Sequence, residues 1–265
     1  MVLTLGEACK SVLETADPAA KLMRARAVAR DWRLGRLEHR FDAEIPEYPA
    51  RPTQPELLAP RFMPKRRRAG SERGRIAMLH ALAHIEFVAI DLAFDLVGRF
   101  GGQFPREFAD DWLRVGADEA MHFALLERRL KQLGSHYGAM PAHDGLWEAA
   151  YATRDDALAR LAIVPMVLEA RGLDVTPATV ERFEAQGDSA SARILQRIFT
   201  DEIRHVSAGT KWFESGCRKA NLLPKYYWKT LVNRHFHGGV KPPFNDSARS
   251  KAGLTRDYYM QVALS

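Results

Sequence analysis

The chain has 265 residues, 46% hydrophobic and 27% charged, which excludes collagen-like, disordered and disulfide-rich classes. Its two cysteines, Cys9 and Cys217, are too few for a disulfide framework and fit a reducing, cytoplasmic setting. The net charge of +6 is segregated: residues 1–70 carry +5, residues 71–215 carry −6, and residues 216–265 carry +7.

No apolar run approaches the roughly 18 residues of a membrane span. Nothing at the start reads as a secretory leader, so no membrane partner is expected. The first elements are helical. Leu3, Leu5, Ala8, Val12 and Leu13 predict a short helix ending near Asp17-Pro18. Leu22, Ala25, Val28 and Trp32 predict a second from Pro18 to about Leu37. Six of the 14 prolines fall in residues 46–64 and predict an extended connector, because proline lacks a backbone donor. The basic run Lys65-Arg66-Arg67-Arg68 follows, read as a solvated loop or an anion-binding patch. Long helices are then expected over about 72–99, 106–132, 152–172 and 189–218, the last capped by Asp188. Thr176-Pro177 reads as the start of a short separate helix to 186, and one more helix is expected near 224–236. No alternating strand pattern occurs.

The acidic residues of the middle segment occupy unexpected faces. With about 100° per residue, Leu79, Leu82, Ala83, Ala89, Ile90, Ala93 and Val97 fall within about 60° of Glu86, while His80, His84, Asp91 and Asp95 project away from it. Trp112, Val115, Phe123, Leu126 and Leu130 surround Glu119, with His122 on the same face. Leu195, Ile198, Phe199, Val206 and Phe213 surround Glu202 and His205, and Leu158, Ala162, Pro165 and Met166 surround Glu169. An isolated buried carboxylate costs several kcal/mol or takes up a proton. Four carboxylates and two histidines placed this way need a shared explanation.

Spacing supplies it. Glu86, Glu119 and His122 map onto Glu169, Glu202 and His205 by a constant shift of 83 residues, and Asp91 and Asp118 map onto Asp174 and Asp201 by the same shift. The chain therefore contains a repeat of two helical hairpins, each with Glu on its first helix and Asp-Glu-x-x-His on its second. A Glu from each of two helices plus Glu-x-x-His from the other two is the ligand set of ferritin-like di-iron and di-manganese proteins. Four carboxylates balance two divalent ions, and oxygen and nitrogen donors of this hardness suit iron or manganese. The fold expected is all-α: a ferritin-like four-helix bundle over 71–218, with a basic Pro-rich arm over 1–70 and a basic C-terminal helix and tail over 219–265 packed on the same domain.

The pairs Asp118-Glu119-Ala120-Met121-His122 and Asp201-Glu202-Ile203-Arg204-His205 resemble those of bacterial multicomponent di-iron monooxygenases. More closely, the chain resembles the bacterial ferritin-like family called domain of unknown function 455. The stretches that carry this are residues 67–71, 79–86, 141–148, 164–174 and 241–245. The resemblance implies that Glu119 and Glu202 bridge two metals while Glu86 and Glu169 bind terminally. Asp118 and Asp201 are expected to accept hydrogen bonds from the ligand histidines and fix their tautomers. His80 and His84 have no counterparts in the second repeat and are assigned to the surface or to packing between helices; the turn Pro141–Gly145 is assigned to structural packing. Pro165, one turn before Glu169, removes a helical hydrogen bond and either opens coordination space or adjusts packing.

The leading functional expectation is a di-iron oxidoreductase (with manganese or a mixed iron/manganese pair as the alternative). It would use dioxygen to oxidise or hydroxylate a small-molecule or anionic substrate, with no catalytic group beyond the metal site. An external reductase is expected, since no flavin, haem or iron–sulfur motif is visible. A nucleic-acid partner is a further expectation, resting on the basic flanks and on analogy. The competing readings are a non-enzymatic iron-binding or ferroxidase protein and a structural-metal module for an anionic partner. The chain is expected to be a monomer or small homo-oligomer.

Overall fold

The computed structural model describes residues 3–63, 71–260 and 262. The run Lys65–Arg68 lies outside them. Among the described residues the structure is all-helical, with only two isolated bridges, Thr4 to Glu38 and Leu57 to Ala142, and no strand. The chain divides into two compact units, Met1–Trp147 and Glu148–Ser265.

In the first unit, α1 (Leu5–Leu13) starts at a capping box, where Thr4 and Glu7 each accept the other's backbone N–H. Helix α2 (Pro18–Arg33) uses Asp17 as its cap and Pro18 as its first residue. It stops before the expected Leu37 because Gly35 takes φ 68°, and the N–H of Arg36 turns back to the carbonyl of Asp31. Two long helices follow, α3 (Glu72–Phe100) and α4 (Arg106–Gln132). They pack as a hairpin, with α1 against α3 and α2 against α4. Their approach is close: a Cβ on Gly116 would lie 2.6 Å from the Phe94 ring. The connector before α3 is extended, and it pairs Leu58 N–H with Ala142 O at 2.8 Å.

Helix α3 with the turn after it, Glu72–Gln103, is long and apolar enough to cross a membrane, yet most of it is buried within the protein. The burial has a simple source. The face bearing Glu86 lies toward α4, and the opposite face, with Asp91 and Asp95, is covered by α1, α2 and the connector.

Helix α5 (Gly145–Ala152), not anticipated from sequence, spans the boundary between the units. The second unit then departs from expectation. Rather than one helix over 152–172 and another from Pro177, it has a nearly continuous rod: α6 (Ala157–Ile163), a π-helical stretch Val164–Glu169, and α7 (Ala170–Ala185). Pro177 lies inside α7, and the break signal at Pro165 is absorbed by the wider π turn. Helix α8 (Ser189–Lys219) is capped by Asp188, which accepts the N–H of Ser191, as the sequence predicts. It packs on α7, on α6 and on the π stretch. Three further helices, α9 (Pro224–His235), α10 (Asp246–Lys251) and α11 (Arg256–Tyr259), close the unit; α9 covers α6, and α10 sits on α7 and α8.

Candidate metal centre

In the first unit, α3 and α4 bring Glu86, Glu119 and His122 together, at 4%, 1% and 0% exposure. Each offers a ligand atom within 4.8 Å of the others. The Nδ1 of His122 lies 3.2 Å from Glu119 Oε2 and 3.3 Å from Glu86 Oε2. The i, i+3 spacing of Glu119 and His122 sets both on the α4 face that meets α3.

Electrostatics show why this cluster is unusual. Burial pushes the Glu86 carboxyl well above the ordinary carboxylate range; Glu119 beside it pushes further in the same direction and His122 opposes. Burial alone would depress His122, but hydrogen bonds and charge from Glu119 and Glu86 reverse this and push it up to about 11. Two carboxylates and an imidazole are thus packed together in a buried site, a donor set able to hold a divalent cation.

In the second unit, Glu202 and His205 are buried on α8, with His205 Nδ1 3.3 Å from Glu202 Oε1. Glu202 Oε2 is buried and has no hydrogen-bond partner among the described residues. Glu169 is half-buried at the end of the π stretch. Gly209 makes room here: a Cβ at this position would lie 2.5 Å from Pro165. An orphaned buried carboxylate oxygen in an all-oxygen-and-nitrogen donor set fits a hard divalent metal.

Asp118 is half-buried on α4. Asp201 is buried and accepts from Arg197 Nε at 2.6 Å and from Arg204. The helix-face histidines are packing residues: His84 Nδ1 meets the Tyr137 hydroxyl at 2.9 Å, and His80 Nε2 accepts the Gly138 N–H at 2.9 Å. In the turn at Pro141–Gly145, His143 Nδ1 accepts the N–H of Gly145 at 3.2 Å. Cys9 and Cys217 are buried free thiols.

Each repeat also holds a buried ion pair that the sequence located on one side only. Asp91, five residues after Glu86, is fully buried between Lys21 of α2 and Arg51 of the connector. Asp174, five after Glu169, accepts from Arg249 Nε at 2.8 Å, from Arg249 Nη2 at 2.7 Å and from the N–H of Asn245 at 2.9 Å. The 83-residue shift marks both aspartates. Their cations lie 70, 40 and 75 residues away, where no local pattern announces them.

A family profile described as "Protein of unknown function (DUF455)" matches residues 14–260. The chain belongs to this family. It is similar to a Haemophilus influenzae (strain ATCC 51907 / DSM 11121 / KW20 / Rd) protein described as "Uncharacterized protein", 43% identical over 211 residues, covering 77% of this chain and 73% of that one. No solved structure matches. The matched residues take in α3, α4, the π stretch with Glu169, Asp174 on α7, and α8.

Proposed function

We propose that this DUF455 protein is a ferritin-like dinuclear-metal oxidoreductase, with Glu86, Glu119 and His122 holding one ion and Glu169, Glu202 and His205 the other. The observation that carries this reading is the buried Glu86–Glu119–His122 cluster, repeated in sequence 83 residues on. Two irons are the favoured pair, with manganese as the alternative for the same donors. When bound, such a pair supplies redox chemistry with dioxygen toward an organic substrate.

The chain's own residues do the rest. Burial of Glu86 and Glu119 excludes water and makes the empty site electrostatically costly, which favours metal uptake. His122 and His205 must be neutral to ligate, so binding releases the proton that the carboxylates hold on His122. Asp201, fixed by Arg197 and Arg204, keeps a carboxylate one residue before the ligand Glu202. Apolar neighbours such as Phe87, Phe123 and Phe213 are fully buried and line the ligand-bearing helices.

Anaerobic loading with ferrous iron, followed by metal analysis and oxygen-uptake measurement, tests the reading. Two irons per chain and oxygen consumption are expected, with iron content at least halved in Glu119→Ala. A metal-free wild type, or unchanged stoichiometry in Glu119→Ala, overturns the site. Two bound irons without oxygen consumption would leave a structural-metal protein instead.

A further inference from the structure

Between Glu214 and Asp246 the chain has no acidic residue, yet it carries Arg218, Lys219, Lys225, Lys229, Arg234 and Lys241, with His235 and His237. Most of this run is α9 and its flanks. Two of the cations are neutralised by acids from outside the run: Lys225 pairs with Asp257 at 2.6 Å, and Arg218 approaches Glu214 at 3.7 Å. Lys229, Arg234 and Lys241 form no ion pair with a carboxylate among the described residues. Arg234 and Lys241 are exposed, and Lys229 is half-buried.

Helical geometry arranges these groups. Trp228, Leu231 and Val232 form the buried face of α9. The opposite ridge is Tyr226, Thr230 and Asn233, which lie within about 40° of one another's mean direction. Lys229 flanks this ridge on one side, Arg234 on the other. Tyr226 is 67% exposed and Leu223, at the start of the helix, 69%. The Tyr226 ring thus presents a free π-face to solvent, and it stands among cations and side chains able to hydrogen-bond.

We propose that this outer face of α9 binds single-stranded nucleic acid. The flanking cations take the phosphates, the Tyr226 ring stacks on a base, and Thr230 and Asn233 offer polar contacts along the ridge. An acidic protein surface would also meet the cations, but it gives no particular use to an exposed tyrosine in line with an asparagine and a threonine. A lipid surface would favour an apolar ridge, and this one is polar beyond Leu223 and Tyr226. The proposal concerns the second unit alone and stands whether or not metal is bound.

Fluorescence anisotropy of the full chain with a labelled 20-nucleotide poly(U) RNA tests it, with variants checked for folding by circular dichroism. Wild type should bind with an affinity that falls steeply with salt. K229E/R234E should weaken binding about tenfold or more and lower the salt slope by about 2. Tyr226→Ala should weaken it about fivefold or more with the slope unchanged, because stacking releases no counterions. Equal binding by the wild type and K229E/R234E overturns the proposal. So does displacement of the RNA by polyglutamate at equal charge concentration, which would indicate an acidic protein partner. Binding to phosphatidylglycerol vesicles without binding to RNA overturns it as well. Should K229E/R234E misfold, the milder pair K229Q/R234Q must still lower affinity and slope.

Discussion

The two units carry the same glutamate and histidine pattern on helices of different character. In the first, Glu86 sits in the regular interior of α3 and is 4% exposed, locked into hydrogen-bonding distance of His122. In the second, the equivalent Glu169 ends a π-helical stretch and is only half-buried. The positions that pack around them have diverged too. Leu82 and Leu126 of the first repeat correspond to Pro165 and Gly209 of the second, where the proline occupies the space that a side chain on α8 would fill. The same residue types thus recur at the 83-residue shift on two different backbones, a regular α-helix in one unit and a π stretch in the other. Single π turns of this kind concentrate at functional sites, where they re-aim a side chain without breaking the helix.

The arms differ in the same spirit. Both buried aspartates that follow the first glutamates are held by cations from outside the hairpin. Asp91 has two, Lys21 and Arg51, whereas Asp174 depends on one arginine with bidentate geometry. Removing Arg249 therefore leaves Asp174 buried with only the Asn245 N–H and a more distant Arg171 at 3.5 Å. Arg249→Met should cost about 3–5 kcal/mol in urea unfolding, the usual penalty for stranding one member of a buried pair. Lys21→Met should cost clearly less, since Arg51 remains on Asp91. Equal losses would show that the two clamps are not the unequal devices their partner counts imply.

A smaller effect separates the hairpins themselves. Gly209→Ala places a methyl 2.5 Å from Pro165, so the π stretch or α8 must shift. A loss of about 1–3 kcal/mol is expected from such overpacking. On the proposed metal site, the loss of iron should be partial and confined to the second triad. An unchanged melting temperature would mean that the close approach of α8 to Pro165 carries no constraint.

Much of this was legible in the sequence because the strongest signals were local. Asp188 caps α8 and α3 begins at Glu72 where expected, and the 3.6-residue apolar period runs unbroken through α3, α4 and α8. The inward placement of Glu86, Glu119, His122, Glu202 and His205 follows from that same period, and burial of all five agrees with it. The rod from Ala157 to Ala185 was read as two helices because Thr176-Pro177 is ordinarily a start signal, while Pro165 was rightly placed inside a helix. Pro165 is accommodated by i→i+5 geometry and Pro177 by α7 itself, and neither accommodation has a sequence signature. The ion-pair partners of Asp91 and Asp174 were invisible for another reason: a contact across 40 to 75 residues is decided by tertiary packing, not by spacing.

The mildest test of the asymmetry is at high pH. The C-terminal arm is also fastened by phenols: Tyr258 donates to Glu214 at 2.7 Å and Tyr259 to Asp246 at 2.5 Å. Burial first, then the hydrogen bond to Asp246, pushes Tyr259 up from 10.0 to about 12, and Tyr258 is raised in the same direction by burial and Glu214. A raised folded-state pKa means that the folded state keeps its proton longer than the unfolded chain. The stabilisation is therefore fully present below pH 10 and is lost as pH climbs toward 12. Tyr259→Phe should lower stability at pH 8 by about 1 kcal/mol through the lost hydrogen bond. It should then decline less steeply than wild type between pH 10 and 12, in urea titrations followed by circular dichroism. Tyr258 carries part of the remaining slope, beside Tyr137 and Cys217, which burial raises in the same direction, so Y258F/Y259F should flatten it further without abolishing it. The first unit's arm is held by Lys21 and Arg51 on Asp91, with the Tyr137 phenol raised by burial beside them, so a slope that survives both substitutions unchanged would show that alkaline loss begins outside the C-terminal arm.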